Sequence, residues 1–265
     1  MTVESMIHAE ISDGVGILKL NRPERRNALH PDMYDAIAEV LERYAVDPAV
    51  GCVMVTGAGS AFCAGGDVRA GIGSTRPADE RGADPELAAE LLHAARIVRL
   101  LHEMPQVTIA ALGGPAVGAG MSLALATDLR IAAQSASLIP GWGKLALPGD
   151  FGGAWFLTRL VGPSRAIEML IDGTPIDADT ALGLGLVNRV VADADLCAVA
   201  LTWARSIAAG PVTAWKGAKA NVLEATTLPL DKALVRECER MVGSRHTDEH
   251  KRAVRAWLDA ARSGT

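Results

Sequence analysis

Short segments near the start of the chain have the apolar pattern of β-strands. Residues 6–11 and 15–20 are two such segments, and Asp13-Gly14 between them is a common tight-turn pair, so the sequence predicts a β-hairpin. Apolar residues then recur at helical spacing between residues 32 and 44. The apolar run at residues 52–57 indicates a buried strand. The chain is therefore expected to begin in β structure and to continue with a helix and a third strand.

Strand and helix patterns continue to alternate as far as residue 195. Further strands are predicted at residues 107–112, 129–133 and 187–191. Helices are predicted at residues 86–103, 153–160, 164–171 and 178–183. Residues 71–84 are rich in Gly, Pro, Ser and charges and have no period, which is typical of a loop. This alternation predicts an α/β fold in which helices cover sheets.

From Leu196 onward the pattern is almost wholly helical, with predicted helices at residues 196–209, 213–224, 229–242 and 247–262. The sequence therefore divides into a core at residues 1–195 and a helical region at residues 196–265. The longest apolar stretch runs from Ile109 to Ala126, but four glycines and a proline interrupt it. It lacks the uniform hydrophobicity of a spanning helix, so no membrane segment is expected.

Composition narrows the possible functions further. The 265 residues, 49% of them hydrophobic, are enough for a large core, and a net charge of −5 argues against a nucleic-acid partner. Cys52, Cys63, Cys197 and Cys238 form no C-x-x-C pair, and the acidic N-terminus lacks the features of a signal peptide. These observations predict free thiols in a reducing cytoplasm.

Three familiar motifs are present only in part. The glycines in TGAGSAF (56–62) lack both the third glycine of a dinucleotide loop and the lysine of a nucleotide-triphosphate loop. Ser122 sits in GMSLA, which lacks the final glycine of a serine-nucleophile turn, so a buried helix start is expected there. His246, Glu249 and His250 spell a metalloprotease pattern within the charged run RHTDEHKR. No third ligand is evident, so this run is interpreted as a surface helix and no metal is expected.

Two glycine-rich segments, residues 59–67 and 113–128, each follow a predicted strand. Small residues let the main chain approach a ligand with its N–H groups exposed, and the second segment opens an apolar helix whose first N–H groups have no partner within that helix. Two such sites are suited to stabilising the oxyanion of a thioester whose α-carbon is deprotonated. The same glycines also suit tight turns and helix–sheet packing, and spacing leaves both interpretations open.

The ordered set of motifs resembles the crotonase (enoyl-CoA hydratase/isomerase) superfamily over nearly the whole chain. The segments that carry the resemblance are LNRPERRNAL (20–29), AFCAGGDV (61–68), AALGGPAVGAG (110–120), FGGAWFLTRLVGPSRAIEML (151–170) and DADTALGLGLVNRVV (177–191). The resemblance implies a crotonase-like ββα spiral with a C-terminal helical trimerisation region. It also implies a homotrimer or a hexamer built as a dimer of trimers. No separate cofactor is implied, since coenzyme A enters as part of the acyl-CoA thioester.

The resemblance also assigns site residues. It implies that the N–H groups of Gly66 and Ala119 form the oxyanion hole. The path of the CoA nucleotide and pantetheine is implied to be lined by Arg25, Arg26, Ala28, Ala64, Asp67 and Val68. The two arginines fit a polyanionic ligand, although a solvated basic turn explains them as well.

This sequence departs from the hydratases of the family at their two catalytic glutamates. The aligned positions hold Ser122 and Trp142, which cannot transfer protons as carboxylates and are expected only to line the substrate. Asp150, in LPGDFGG, resembles the acid/base residue of some family isomerases, including the epoxide-forming ring isomerases. Isomerisation needs a single base, so Asp150 is the expected catalytic acid/base. The alternative is that Asp150 caps the next helix by accepting a bond from Gly152 or Gly153 N–H.

Other activities stay open at this stage. The pair Trp142 and Asp150 also resembles the aryl-CoA dehalogenases of the superfamily, which need a helix histidine. His93 lies two residues from the aligned position at Ala95. An atypical hydratase with a displaced acid and a non-catalytic acyl-CoA-binding protein are the remaining alternatives.

Overall fold

The structure is a computed structural model that describes residues 3–70 and 85–263. Its main sheet has six strands in the order β1-β2-β3-β4-β6-β9, antiparallel between β1 and β2 and parallel elsewhere. A second sheet has the order β5-β7-β8. The strands are β1 (Ile7–Ser12), β2 (Val15–Leu20), β3 (Cys52–Gly57), β4 (Val107–Leu112), β5 (Ala116–Val117), β6 (Leu129–Ala133), β7 (Ser137–Ile139), β8 (Ile176–Asp177) and β9 (Arg189–Val191). The predicted α/β class is confirmed.

The strand sequences explain this arrangement. The predicted hairpin forms β1 and β2, and Asp13 and Gly14 adopt the positive φ angles of 51° and 78° that a two-residue hairpin turn requires. The central strands β3 and β4 are apolar runs that are buried along most of their length, as expected when helices cover both faces of a parallel sheet. The sheet thus forms the rigid base from which the glycine-rich segments emerge.

Helices surround the two sheets. They are α1 (Val3–Met6), α2 (Pro31–Val46), α3 (Pro85–Ala94), α4 (Arg96–Glu103), α5 (Ala119–Leu125), α6 (Gly153–Asp172), α7 (Ala178–Gly183), α8 (Leu196–Ala208), α9 (Val212–Ala225), α10 (Leu230–Arg245) and α11 (Asp248–Ser263). The prediction of a single helix at residues 86–103 is wrong, because the helix is interrupted at Ala95, between α3 and α4. The two helices predicted at 153–160 and 164–171 correspond to α6, which is kinked where Gly162 has a φ of 78° before Pro163.

The C-terminal helices begin close to the predicted position. Leu196, Ala200 and Ala204 of α8 are buried in the main core, so this first helix covers the sheet. The later helices α9 to α11 leave large apolar side chains exposed, including Leu230 and Trp257 at 75% and 71%. The division at residue 196 and the assembly role of the helical region stay predictions.

The motifs set aside in the sequence lie at the surface or in the core. His246 and His250 are exposed, as predicted, but they flank the break between α10 and α11 rather than sharing one helix. Within the described ranges, no three His, Cys, Asp or Glu side chains cluster so that they could hold a metal ion. The predicted loop at residues 71–84 lies outside the described residues.

No single helix of the described chain is long and apolar enough to cross a bilayer. One pair of helical segments, Asp193–Ala208 and Val212–Ala225, meets the length and composition criteria only when taken together across a 99° bend.

Candidate active site

The first glycine-rich segment is held beside the start of α2 by main-chain hydrogen bonds. Leu29 N–H donates to Gly65 O at 2.8 Å, and Asp67 N–H donates to Leu29 O at 2.9 Å. In this parallel pairing the residue between the two bonds, Gly66, turns its own N–H to the other side. Within the described chain, no backbone acceptor binds the Gly66 N–H. This N–H is therefore available to a ligand.

The second glycine-rich segment presents a similar group. Ala119 is the first residue of α5, and Gly118 before it has a φ of 53°. The Ala119 N–H is one of the first four of the helix, which have no intrahelical acceptor. Among the described residues, no other backbone oxygen accepts from it. Both predicted oxyanion-hole residues thus have an uncommitted N–H, and their role as a pair stays a prediction.

The two segments are in direct contact. Val117 N–H donates to Cys63 O at 2.9 Å. Gly65 has a φ of 89°, and a Cβ placed on it would lie 2.8 Å from Val117 O and 3.6 Å from Ala119 N. Only glycine permits this approach. The close contact brings the turns that bear Gly66 and Ala119 together at one point.

Asp150 lies in the turn that leads into α6, and its carboxylate is held by an indole. Trp142 Nε1–H donates to Asp150 Oδ1 at 2.8 Å. Burial raises the pKa of Asp150 above its ordinary value, and the hydrogen bond from Trp142 opposes that rise. No described residue donates to Oδ2. The group is a partly desolvated carboxylate with one oxygen fixed and the other available.

The capping alternative for Asp150 is wrong for its side chain. The N-cap of α6 is Gly152, and no side chain bonds to the first turn there. Gly153 N–H donates to the main-chain oxygen of Asp150 at 3.0 Å instead. The carboxylate therefore faces Trp142 rather than the helix terminus.

Trp142 and Ser122, which occupy the positions of the missing glutamates, are both buried. The indole lies between α5 and α6, since a Cβ on Gly118 would be 3.6 Å from Trp142 Nε1 and one on Gly153 would be 2.5 Å from the six-membered ring. Ser122 Oγ–H donates to Asp150 O at 3.2 Å. The structure thus brings Ser122, Trp142 and Asp150 together beside the start of α5.

The residues predicted to line the CoA path share one cavity. Its volume is about 370 Å³, and its lining includes Gly66 together with all six predicted residues, Arg25, Arg26, Ala28, Ala64, Asp67 and Val68. Both arginine side chains are exposed at its edge. This places basic groups next to the Gly66 N–H, although their contact with CoA stays a prediction.

Asp67 has a structural partner that the sequence did not reveal. Its Oδ2 lies 2.9 Å from Arg22 Nη2 in a buried ion pair, and its Oδ1 accepts from Arg69 N–H at 3.2 Å. Burial would raise the pKa of Asp67, but the bonds from Arg22 and Arg69 lower it below its ordinary value. Arg22 also donates to Ala28 O at 2.6 Å. This ion pair fixes the loop directly after Gly66, and no spacing signal linked the two residues.

Tyr34 is a second residue that sequence reasoning missed. It is 6% exposed, and its ring centroid lies 5.6 Å from that of Phe151. Its hydroxyl has no hydrogen-bond partner in the described chain. Burial raises the pKa of Tyr34, and the negative charge of Asp150 raises it further. The only feature of the sequence that could have indicated Tyr34 is its position next to Met33 on the predicted helix.

His93 is not positioned against Asp150 in the described chain. Its Nε2 lies 2.8 Å from Asp35 Oδ1, and Arg96 bonds to both side chains. The side chain is 60% exposed. The histidine that the dehalogenase alternative requires is therefore engaged in a surface cluster.

Comparisons with known proteins agree on one family. The sequence model of the enoyl-CoA hydratase/isomerase family matches residues 10–262 of this chain. A 1,2-epoxyphenylacetyl-CoA isomerase from Escherichia coli K12 is 34% identical and covers 95% of both chains. A 4-chlorobenzoyl coenzyme A dehalogenase from Arthrobacter sp is 32% identical over 90% of this chain and 85% of its own. The crystal structure of an enoyl-CoA hydratase from Polaromonas sp. JS666 has a TM-score of 0.87 at 32% identity and covers 96% of both chains.

Proposed function

Because the chain belongs to the enoyl-CoA hydratase/isomerase family and has its crotonase fold, we propose that it isomerises an acyl-CoA thioester with Asp150 as the acid/base residue. The observation that carries this proposal is the half-buried Asp150 carboxylate, which accepts a hydrogen bond from Trp142 Nε1–H at 2.8 Å. A second argument is the identity of the neighbouring residues. Ser122 and Trp142 occupy the positions of the two glutamates on which hydration depends, which leaves Asp150 as the carboxylate of the site. The isomerase relative supports the same reaction class.

The reaction begins with removal of a proton from a carbon conjugated to the thioester. Negative charge then moves to the thioester oxygen, where the N–H groups of Gly66 and Ala119 stabilise it. Preorganised donors of this kind commonly make the largest catalytic contribution. Arg25 and Arg26 hold the phosphates of CoA in the adjacent cavity, so that the thioester reaches these two groups.

Asp150 takes the proton and returns it to a different carbon. Trp142 fixes Oδ1, which leaves Oδ2 to exchange the proton with the substrate. A carboxylate whose pKa is raised by burial is a better base and a readier acid near neutral pH than an exposed one. A single base suffices because isomerisation moves a proton between two carbons and adds no water.

Substitution of Asp150 by Asn tests this role. Asn keeps an oxygen that accepts from Trp142 but cannot carry the proton, so kcat on the turned-over substrate should fall by about 100-fold or more. Substrates to compare are 3-enoyl-, 2-enoyl-, epoxyaryl- and haloaryl-CoA esters, with products followed by mass. Turnover near that of the wild type in Asp150→Asn would contradict the proposal. Hydration of 2-enoyl esters alone would favour the hydratase, and binding without any turnover would favour a non-catalytic protein.

Stability serves as the control for Asp150→Asn. Because the folded-state pKa is raised, the Asp150 carboxyl group contributes stability that is fully present below its unfolded pKa and is lost as the pH rises through the folded value. Asn carries no charge and therefore avoids the cost of ionising a half-buried carboxyl group at neutral pH. Thermal melting at pH 7 should therefore show a variant at least as stable as the wild type.

Hydrolytic dehalogenation of an aryl-CoA is a second candidate, favoured by the Trp142–Asp150 hydrogen bond and by the dehalogenase relative. In that reaction an Asp150 oxygen bonds to the ring carbon and displaces halide, and water then cleaves the resulting ester at its carbonyl carbon. The phenol oxygen comes from Asp150. A single turnover in H₂¹⁸O would then release product that contains ¹⁶O, whereas direct attack by water would give ¹⁸O.

A further inference from the structure

The two tyrosines of the chain differ in how their buried hydroxyls are satisfied. Tyr44 O–H reaches Glu10 O at 2.8 Å and Ile17 O at 3.1 Å. Tyr34 O–H is also buried but has no partner in the described chain. A buried hydroxyl without a partner loses its bonds to water and gains nothing in return. Phenylalanine would fill the same space at lower cost, so the Tyr34 hydroxyl requires another explanation.

The position of this hydroxyl relates it to the proposed chemistry. After burial, the largest influences that raise the pKa of Tyr34 are the charges of Asp150, Cys63 and Asp67. The Tyr34 ring also packs against that of Phe151, the residue next to Asp150, with ring centroids 5.6 Å apart. The Tyr34 side chain therefore lies close to the proposed base. A phenol in this acidic setting stays protonated and acts as a hydrogen-bond donor.

Tyr34 also lines a cavity of about 690 Å³ between α2 and α3. Its apolar walls include Pro31, Ala89, Leu91 and Ala94. The volume lies in the range of small-molecule sites, which combine apolar walls with a few well-placed polar groups. Tyr34 is the residue that joins this cavity to the neighbourhood of Asp150.

We propose that the acyl group occupies this cavity and carries a hydroxyl, ether or epoxide oxygen that accepts a hydrogen bond from Tyr34. The inference rests on the proposed function, since it takes the ligand to be an acyl-CoA thioester. An acyl group without such an oxygen leaves the hydroxyl unpaired, and sites of this kind discriminate strongly against ligands that lack the partner. Tyr34 is thus a specificity-determining residue, whereas Asp150 transfers the proton.

Binding to matched esters tests this assignment. Dissociation constants of phenylacetyl-CoA and its 2-, 3- and 4-hydroxy derivatives are measured by calorimetry on the wild type and on Tyr34→Phe. At least one hydroxy ester should bind the wild type about tenfold or more tightly than phenylacetyl-CoA. Tyr34→Phe should remove that advantage and leave phenylacetyl-CoA binding unchanged. Its melting temperature should stay the same or rise, because no hydrogen bond is lost.

Tyr44→Phe is the matched control. It leaves the Glu10 and Ile17 oxygens without their donor, so it should lower the melting temperature but keep the preference for the hydroxy ester. In the unaltered protein, that ester should also shift the tyrosine ultraviolet band, and the shift should persist in Tyr44→Phe.

The inference is overturned if no hydroxy ester is preferred by the wild type, or if the preference survives in Tyr34→Phe. Binding requires no turnover, so this outcome is separate from the fate of the isomerase proposal. If the preference depends on Tyr34 but Asp150→Asn retains full turnover, the specificity role of Tyr34 is supported and the role of Asp150 as the base is rejected.

Discussion

At the scale of single residues, two opposing effects set the ionisation of the proposed base. Burial raises the pKa of Asp150 and the bond from Trp142 Nε1 lowers it. Trp142→Phe removes only the lowering contribution, so the pKa should rise further. Because the base must be ionised to accept a proton, activity increases with pH through that pKa. The acid limb of kcat/KM should therefore move to higher pH in Trp142→Phe, and an unchanged or lowered limb would contradict the assignment.

Residue-scale chemistry was only partly readable from the sequence. Gly66, Ala119 and Asp150 lie in recognisable motifs, so the sequence was sufficient to predict them as site residues. The Arg22–Asp67 ion pair and the unpaired Tyr34 hydroxyl were not found, because burial and partners of polar groups depend on contacts between segments that lie far apart in sequence. The capping alternative for Asp150 is wrong because its carboxylate accepts a hydrogen bond from the Trp142 indole instead of from the helix terminus.

At the scale of elements, the site depends on how closely α5 approaches the first glycine-rich segment. A Cβ at Gly120 would lie 2.3 Å from Cys63 O, so Gly120→Ala should push α5 away from the loop and destabilise the fold by about 1–3 kcal/mol. Among the described residues, no atom lies within 4 Å of such a Cβ at Gly217 in α9, so Gly217→Ala should be neutral or stabilising by about 0.5–1 kcal/mol. Urea denaturation measures both. Equal effects would show that the close contact is unimportant.

Element prediction succeeded where apolar runs are long. Strands β1 to β4 and helix α2 agree with their predicted ranges within two residues, because one buried face imposes a regular pattern. The break at Ala95 has no glycine or proline to mark it. Strands β5, β7 and β8 have only two or three residues, which is too short for a period to be visible.

At the scale of the whole molecule, the exposed apolar side chains of α9 to α11 support the proposed homo-oligomer. Closed assemblies of identical chains bury such patches between copies. Light scattering should give a mass three or six times the 27.7 kDa of one chain. A stable monomer at micromolar concentration would exclude the proposed assembly.

The central claim is that Asp150 moves a proton to and from carbon while two backbone N–H groups hold the enolate. Its most direct test is exchange of substrate protons in D₂O, followed by mass on the substrate that turns over fastest. The wild type should incorporate deuterium at the carbon that gains the proton, because the half-buried Asp150 carboxyl group exchanges its proton with solvent before it returns one to carbon. Asp150→Asn should slow that incorporation by about 100-fold or more while it still binds the ester. Exchange at the wild-type rate in Asp150→Asn would contradict the account.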